Sequence, residues 1–144
     1  MRAKSIVIVG LIVVMLAGVY LQGQGPLEIR AASATAVSGW QQVAGQRGTP
    51  LWIAPSIGLT MADIDRAEAR TLADGAAVAV VFTVEGAKKM SALSAAQSGK
   101  PIALLLDGKV IWAPTVRGAI DKEAMLTGLT PAQADRLIAS LKAR

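Results

Sequence analysis

Cysteine and histidine are both missing from this 144-residue chain. Their absence excludes disulfides, thiolate zinc sites, cysteine nucleophiles and imidazole general-base catalysis. Aromatic residues are scarce, with three Trp, one Tyr and one Phe, so the stacking platform that single-stranded nucleic acid requires is not there. The formal net charge of +5 favours anionic surfaces. No basic block concentrates that charge, however, and nucleic acid is not an expected partner. No Ser is followed three residues later by Lys, no Gly-x-Ser-x-Gly occurs, and no Gly-rich phosphate loop carries a Lys. Asp63 and Asp65, like Asp121 and Glu123, are spaced by two, which on a helix turns the carboxylates apart rather than into an acid–base pair. No catalytic, cofactor-binding or metal-binding residue is expected, and the chain reads as a non-enzyme.

What is present begins with an address. Arg2 and Lys4 precede an uncharged apolar run over residues 6–21, a length between a signal-peptide core and a full span of roughly 20 residues. The early cations stay in the cytoplasm, so the remainder emerges on the far side of the membrane. Residues 22–25 offer no small-x-small cleavage site directly behind the run, and Ala32-Ser33-Ala34 lies well downstream. Residues 1–25 are therefore read as a transmembrane anchor with a short linker, or alternatively as a signal peptide whose removal would leave a secreted protein. Residues 26–144 are read as one extracytoplasmic domain.

Within that domain Leu27 to Arg30 alternates apolar and charged residues as a first strand does, and residues 31–38 read as loop. Residues 40–43 and 51–54 are short strands about the Gly- and Pro-bearing turn at 45–50. Thr60 with Asp63 forms a capping-box pattern and predicts a helix over 61–70. Residues 76–84 predict a buried strand. A helix then starts at Val84 or Glu85, with Ala87, Met90 and Leu93 inward and Lys88 and Lys89 outward, and ends at Gly99 in a left-handed cap. A short strand is expected around 124–126. Thr130-Pro131-Ala132-Gln133 starts the last helix, with Ala134, Leu137, Ile138 and Leu141 on its apolar face.

Residues 100–118 hold the strongest local signal. Asp107-Gly108 between two apolar runs predicts a hairpin with a type I′ turn. The register then sets Leu106 opposite Lys109, Leu105 opposite Val110, Leu104 opposite Ile111, Ala103 opposite Trp112, Ile102 opposite Ala113 and Pro101 opposite Pro114. Trp112 is accordingly expected to fill the core against Ala103. Asp107 is read as a turn residue rather than an acid catalyst. Apolar side chains on both faces place the ribbon inside a larger sheet. The expected class is α+β: a mixed, largely antiparallel sheet with helices packed on one face.

The order of features from Phe82 to Leu141 resembles the head subdomain of the first periplasmic domain of SecD, a membrane subunit that assists protein export. Glu85, Gly86 and Ala87 with Lys88 and Lys89 look like that family's helix start. Gly99 and Lys100, then Leu106, Asp107, Gly108, Lys109 and Val110, look like its hairpin, and Ala113 and Pro114 like the segment after it. Gly128 and Thr130, with Ala134 and Leu137, are similar to its final cap and helix, while Glu123 and Leu129 depart from the pattern. The resemblance implies an envelope location and contact with translocon subunits or exported polypeptide, but no proton-driven motor. The function expected is a non-catalytic, membrane-tethered binding module accessory to protein export. The alternative is a structural or assembly factor of a cell-envelope complex with no export role. Lys88, Lys89, Lys100, Lys109 and Arg117 could line a basic rim towards lipid head groups, or be ordinary solvated charges.

Overall fold

Backbone pairing decides most of this architecture. The structure, a computed structural model, describes residues 26–73 and 75–143. The expected anchor over 1–25 lies outside the described residues. In chain order the elements are β1 (Leu27–Ser33), β2 (Gln41–Ala44), β3 (Pro50–Ile53), β4 (Leu59–Thr60), β5 (Ile64–Leu72), β6 (Gly75–Phe82), α1 (Val84–Ala96), β7 (Ile102–Leu106), β8 (Lys109–Trp112), β9 (Glu123–Leu129) and α2 (Pro131–Lys142). The strands form two sheets, one ordered β2-β3-β1-β7-β8 with β4 also on β1, the other β5-β6-β9. Every named pair is antiparallel. The α+β class expected from sequence is present, with two sheets in place of one. Both helices face the same larger core, α1 through Met90 and α2 through Ala134, Leu137 and Leu141.

The 107–108 hairpin forms as the turn chemistry requires, with Asp107 at φ 53 and Gly108 at φ 81. Its register agrees with the expectation for two pairs only, Leu106 with Lys109 and Leu105 with Val110. The ladder then slips by one residue: Leu104 faces Trp112 instead of Ile111, and Pro101 faces Thr115 instead of Pro114. A bulge directs two successive side chains to one side of the sheet. Ile111 and Trp112 both join the larger core, while Val110 and Ala113 pack with a smaller cluster on the opposite face. The expected contact of Trp112 with Ala103 is thereby replaced, because Ala103 belongs to that smaller cluster.

That smaller cluster, Ala32, Leu51, Ile53, Ala103 and Leu105, fills the side of the larger sheet away from the helices. The sheet curls around it until β2 lies against β8, and Gln46 Oε1 accepts from the Ala113 N–H at 3.2 Å. Glu28 and Arg30 share this face of β1 with Ala32 by the strand period of two. Both are buried, where an amphipathic reading of the strand leaves them in water. Arg30 Nε and Nη2 hold Glu28 Oε1 at 3.0 and 2.9 Å, and Nη1 donates to the carbonyls of Ala54 and Pro55. Glu28 Oε2 has no hydrogen-bond partner. Strand β1 continues to Ser33, through the stretch from residue 31 read as loop.

The capping box at Thr60 and Asp63 is present, but the helix expected behind it is a single 3-10 turn, Met61–Asp63, followed by β5. Helix propensity favours Ala, Glu and Arg by a few tenths of a kcal/mol per residue, roughly. The neighbouring β6 buries Ala77, Val78 and Val80, and each unpaired buried backbone group there would cost about 1–3 kcal/mol. Pairing of β5 from Ile64 opposite Phe82 to Leu72 opposite Gly75 removes that cost. Gly99 takes φ 77 as expected of it, but two residues past the α1 cap, which is Gln97. There the Gly99 N–H donates to Val116 O, and Gln97 Nε2 ties the carbonyls of Ala32 and Pro101. Thr130 caps α2 as the sequence predicts, with Pro131 first and Gln133 closing the box. The last strand is longer than 124–126 at both ends.

Two stability predictions come from these junctions. A Cβ at Gly86 would fall inside contact distance of the Asp63 backbone and 2.9 Å from its Cβ, whereas at Gly118 it would meet nothing. Urea unfolding should find Gly86→Ala destabilised by about 1–3 kcal/mol and Gly118→Ala within about 0.5 kcal/mol of the parent. Arg30→Leu strands a buried carboxylate and should lose about 3–5 kcal/mol, of which Glu28→Leu in the same chain recovers at least about 1 kcal/mol. A double variant no more stable than the single one would show that the pair is not a desolvated unit.

Candidate binding groove

Helix α1 is held at both ends and leaves one long side open. Thr83 Oγ1 accepts from the Gly86 N–H at 2.9 Å, and the Thr83 N–H donates to Asp63 O. Asp63 is buried beneath the helix; its Oδ2 accepts from the Thr60 N–H and its Oδ1 from Lys89 Nζ, at 2.9 and 3.0 Å. This seat fixes the first turn and its direction. Ser94, also buried, bonds both backbone groups of Ile120, accepting from the N–H at 2.9 Å. The Phe82 N–H donates to Lys122 O. Residues 118–122 are thereby pinned beside the helix as a wall.

Between that wall and α1 runs a groove of about 730 Å³. Its floor and sides come from Val81, Phe82, Val84, Ala87, Ala92 and Ala95, with Lys88 and Lys122 at the rim. Alanine and serine at 87, 91, 92 and 95 supply little volume on this side of the helix, which is why the groove stays open. Val84, in the first helical position, is 74% exposed, a large apolar side chain left in water at the mouth. A second depression of about 440 Å³ lies between Trp112 and residues 119–125 and shares Asp121 and Lys122 with the first. Such surfaces suit apolar side chains of an extended or helical segment, with ammonium groups placed for carbonyls or carboxylates. Among the described residues, no three His, Cys, Asp or Glu side chains converge as metal ligands do.

The twelve residues singled out from sequence separate into three places. Glu85, Gly86 and Ala87 form the α1 start: Glu85 pairs with Lys88 at 3.3 Å, Gly86 rests on Asp63, and Ala87 lines the groove. Leu106, Asp107, Gly108 and Val110 lie in the hairpin, where Asp107 also receives Arg136 of α2 at 2.9 Å, a partner the turn signal gave no hint of. Gly99, Ala113, Pro114, Gly128 and Thr130 sit at strand and helix ends. Gln46 bridges two of these, through the Ala113 N–H and the Gly128 carbonyl. The groove residues Val84, Ser91, Ala92, Ala95, Asp121 and Lys122 were not singled out. The one signal that could have found them is a β-branched apolar residue directly behind a helix cap, with small residues repeating four apart on its side. Of the expected basic rim only Lys88 borders the groove; Lys89 turns back to Asp63.

A family model described as SecDF, P1 head subdomain, matches residues 36–144. The protein translocase subunit SecD of Elusimicrobium minutum is 33% identical over 88 residues, 59% of this chain and 19% of that protein. The protein translocase subunit SecDF of Thermus thermophilus is 41% identical over 76 residues, 50% of this chain and 10% of that one. The chain thus spans less than a fifth of the length of the curated relatives it matches. A solved structure of SecDF, a membrane component that enhances protein export, superposes with a TM-score of 0.63 at 25% identity. It covers 90% of this chain and 67% of its own. A crystal structure of SecDF in a super-membrane-facing form gives the same TM-score at 26% identity, over 81% of this chain and 18% of that one.

The wall predicts its own test. Ser94→Ala removes the acceptor of the Ile120 N–H and should cost about 1–3 kcal/mol in urea unfolding. Hydrogen exchange at the Ile120 amide should quicken by roughly tenfold. Unchanged exchange there would mean that Ser94 does not hold the wall.

Proposed function

The chain belongs to the SecDF P1 head subdomain family, and on that premise we propose that it is a non-catalytic, membrane-tethered extracytoplasmic module that binds polypeptide during protein export. The observation carrying this reading is the apolar groove beside α1 with Val84 exposed at its mouth. An unfolded exported chain offers runs of apolar side chains, and the groove offers an apolar floor between two lysines. Translocon subunits are the other protein surface such a module meets. Tethering is supported by the uncharged run at 6–21 behind Arg2 and Lys4. Among the described residues no helix is long and apolar enough to cross a membrane; the proposed tether is the run at 6–21. Of the twelve motif positions only Ala87 lines the groove; the others are proposed as framework of the fold rather than as contacts to the bound chain.

A photo-reactive residue at Ala92, in cells exporting protein, should form adducts with exported chains or translocon subunits. Val84→Asp, a change at an exposed position, should leave the unfolding temperature in place and lower the adduct yield roughly tenfold, as loss of one buried Val side chain would. Adducts confined to another envelope complex would support the assembly-factor reading instead, and a yield indifferent to Val84→Asp would remove the groove from either.

A further inference from the structure

Strand edges distinguish one part of the surface from the rest. Natural sheets protect their edges by shortness, bulges, proline, charged side chains or cover. Strands β2 and β8 are four residues each and are joined by Gln46, and β8 is bulged and runs on into Pro114. Strand β4 has two residues. Strand β9 is irregular against β6, holds Gly128 at φ 74, and has Gln46 on the carbonyls of Thr127 and Gly128. Beyond its first residues strand β5 is guarded only by the charges of Arg66, Glu68 and Arg70 and by α2, which packs against it. The strand is nine residues long, its irregularity is confined to Ile64–Arg66, and its outer edge pairs with no other strand among the described residues. From Glu68 to Leu72 successive residues are exposed on both faces, and Leu72 is 41% exposed.

We infer that this edge is a self-association site, on which a second copy of the chain lays its own β5 antiparallel about a two-fold axis through Ala69. Charge complementarity selects the occupant and the register. Arg66, Glu68, Arg70 and Leu72 share one face by the period of two, and residues facing each other across a ladder must lie on the same face, so the axis passes through a residue. Through Ala69 it sets Glu68 opposite Arg70 of the second copy, Arg70 opposite its Glu68, and the Arg66 stem against its Leu72. Within one copy Arg70 Nη2 lies 3.6 Å from Glu68 Oε2, so the four charges alternate around the axis. An axis through Glu68 sets like charges opposite each other. An axis through Ala67 brings the irregular segment at Ile64–Arg66 into the ladder. The Ala69 register uses only the regular stretch 66–72 and merges two three-stranded sheets into one of six strands. This inference does not depend on the groove or on its occupant.

The cysteine-free sequence makes the test direct. Full-length chain carrying Ala69→Cys, in detergent micelles, should give a covalent dimer with a short bismaleimide, and Ala67→Cys should give much less. Adding Arg70→Glu to Ala69→Cys sets two carboxylates opposite each other and should lower dimer yield about tenfold. Adding Glu68→Arg as well should restore it, which a merely unfolded variant would not do. A monomeric Ala69→Cys chain, a stronger dimer from Ala67→Cys, or a doubly exchanged variant that stays monomeric would each overturn the proposal.

Discussion

Strand β7 is buried at all five of its residues, and the rest of the domain is arranged to make that possible. A strand without a solvent face needs backbone partners on both edges and apolar neighbours above and below. Strand β1 supplies one edge through five consecutive pairs, and β8 supplies the other. Leu104 and Leu106 belong to the core under the helices, Ala103 and Leu105 to the cluster inside the curled sheet. The bulge in β8 follows from this double demand. Without it Trp112 would point into the smaller cluster beside Ala103; with it the indole enters the larger core.

The same economy of space governs the junction between the sheets. Gly58 lies close to Ile29 O and the Leu93 side chain, and Gly86 close to Asp63. These approaches let α1 sit directly on the segment that connects β4 to β5. Asp63 serves three neighbours at once, as the cap of its own 3-10 turn, the acceptor for Lys89, and the backbone on which α1 begins. Because that seat is fixed, the opposite flank of α1, built of alanine and serine, has no covering element among the described residues. The groove is therefore a consequence of where the helix is anchored and of the 118–122 segment that Ser94 holds beside it. That apolar trough, with Lys88 and Lys122 at its rim, is the feature on which the proposed binding role rests.

Much of this was legible in the sequence wherever a short segment carries its own constraint. The turn at Asp107-Gly108, both capping boxes, the α2 start at Thr130-Pro131 and the inward face of α1 depend on neighbours a few residues apart, and each is found where the sequence places it. The ordered motifs from Glu85 to Thr130 also carried the family resemblance. The groove was not legible, since Ala92, Ala95 and Lys122 acquire meaning only when residues 118–122 are brought beside α1 by Ser94.

The sequence by itself therefore determined the 107–108 turn, the helix N-caps, the class of fold and the kinship, because these rest on local backbone preferences, short-range side-chain hydrogen bonds and an ordered run of short motifs. Tertiary structure alone decided that 64–72 is a strand, that the hairpin slips at Ile111, and that Glu28 and Arg30 are buried. In each case the deciding partner is distant in the chain: β6 needing its edge filled, a core with room for an indole, the carbonyls of Ala54 and Pro55 closing over a guanidinium. Backbone donors left unpaired in a buried sheet cost more than the few tenths of a kcal/mol, roughly, by which local propensity prefers one state to another.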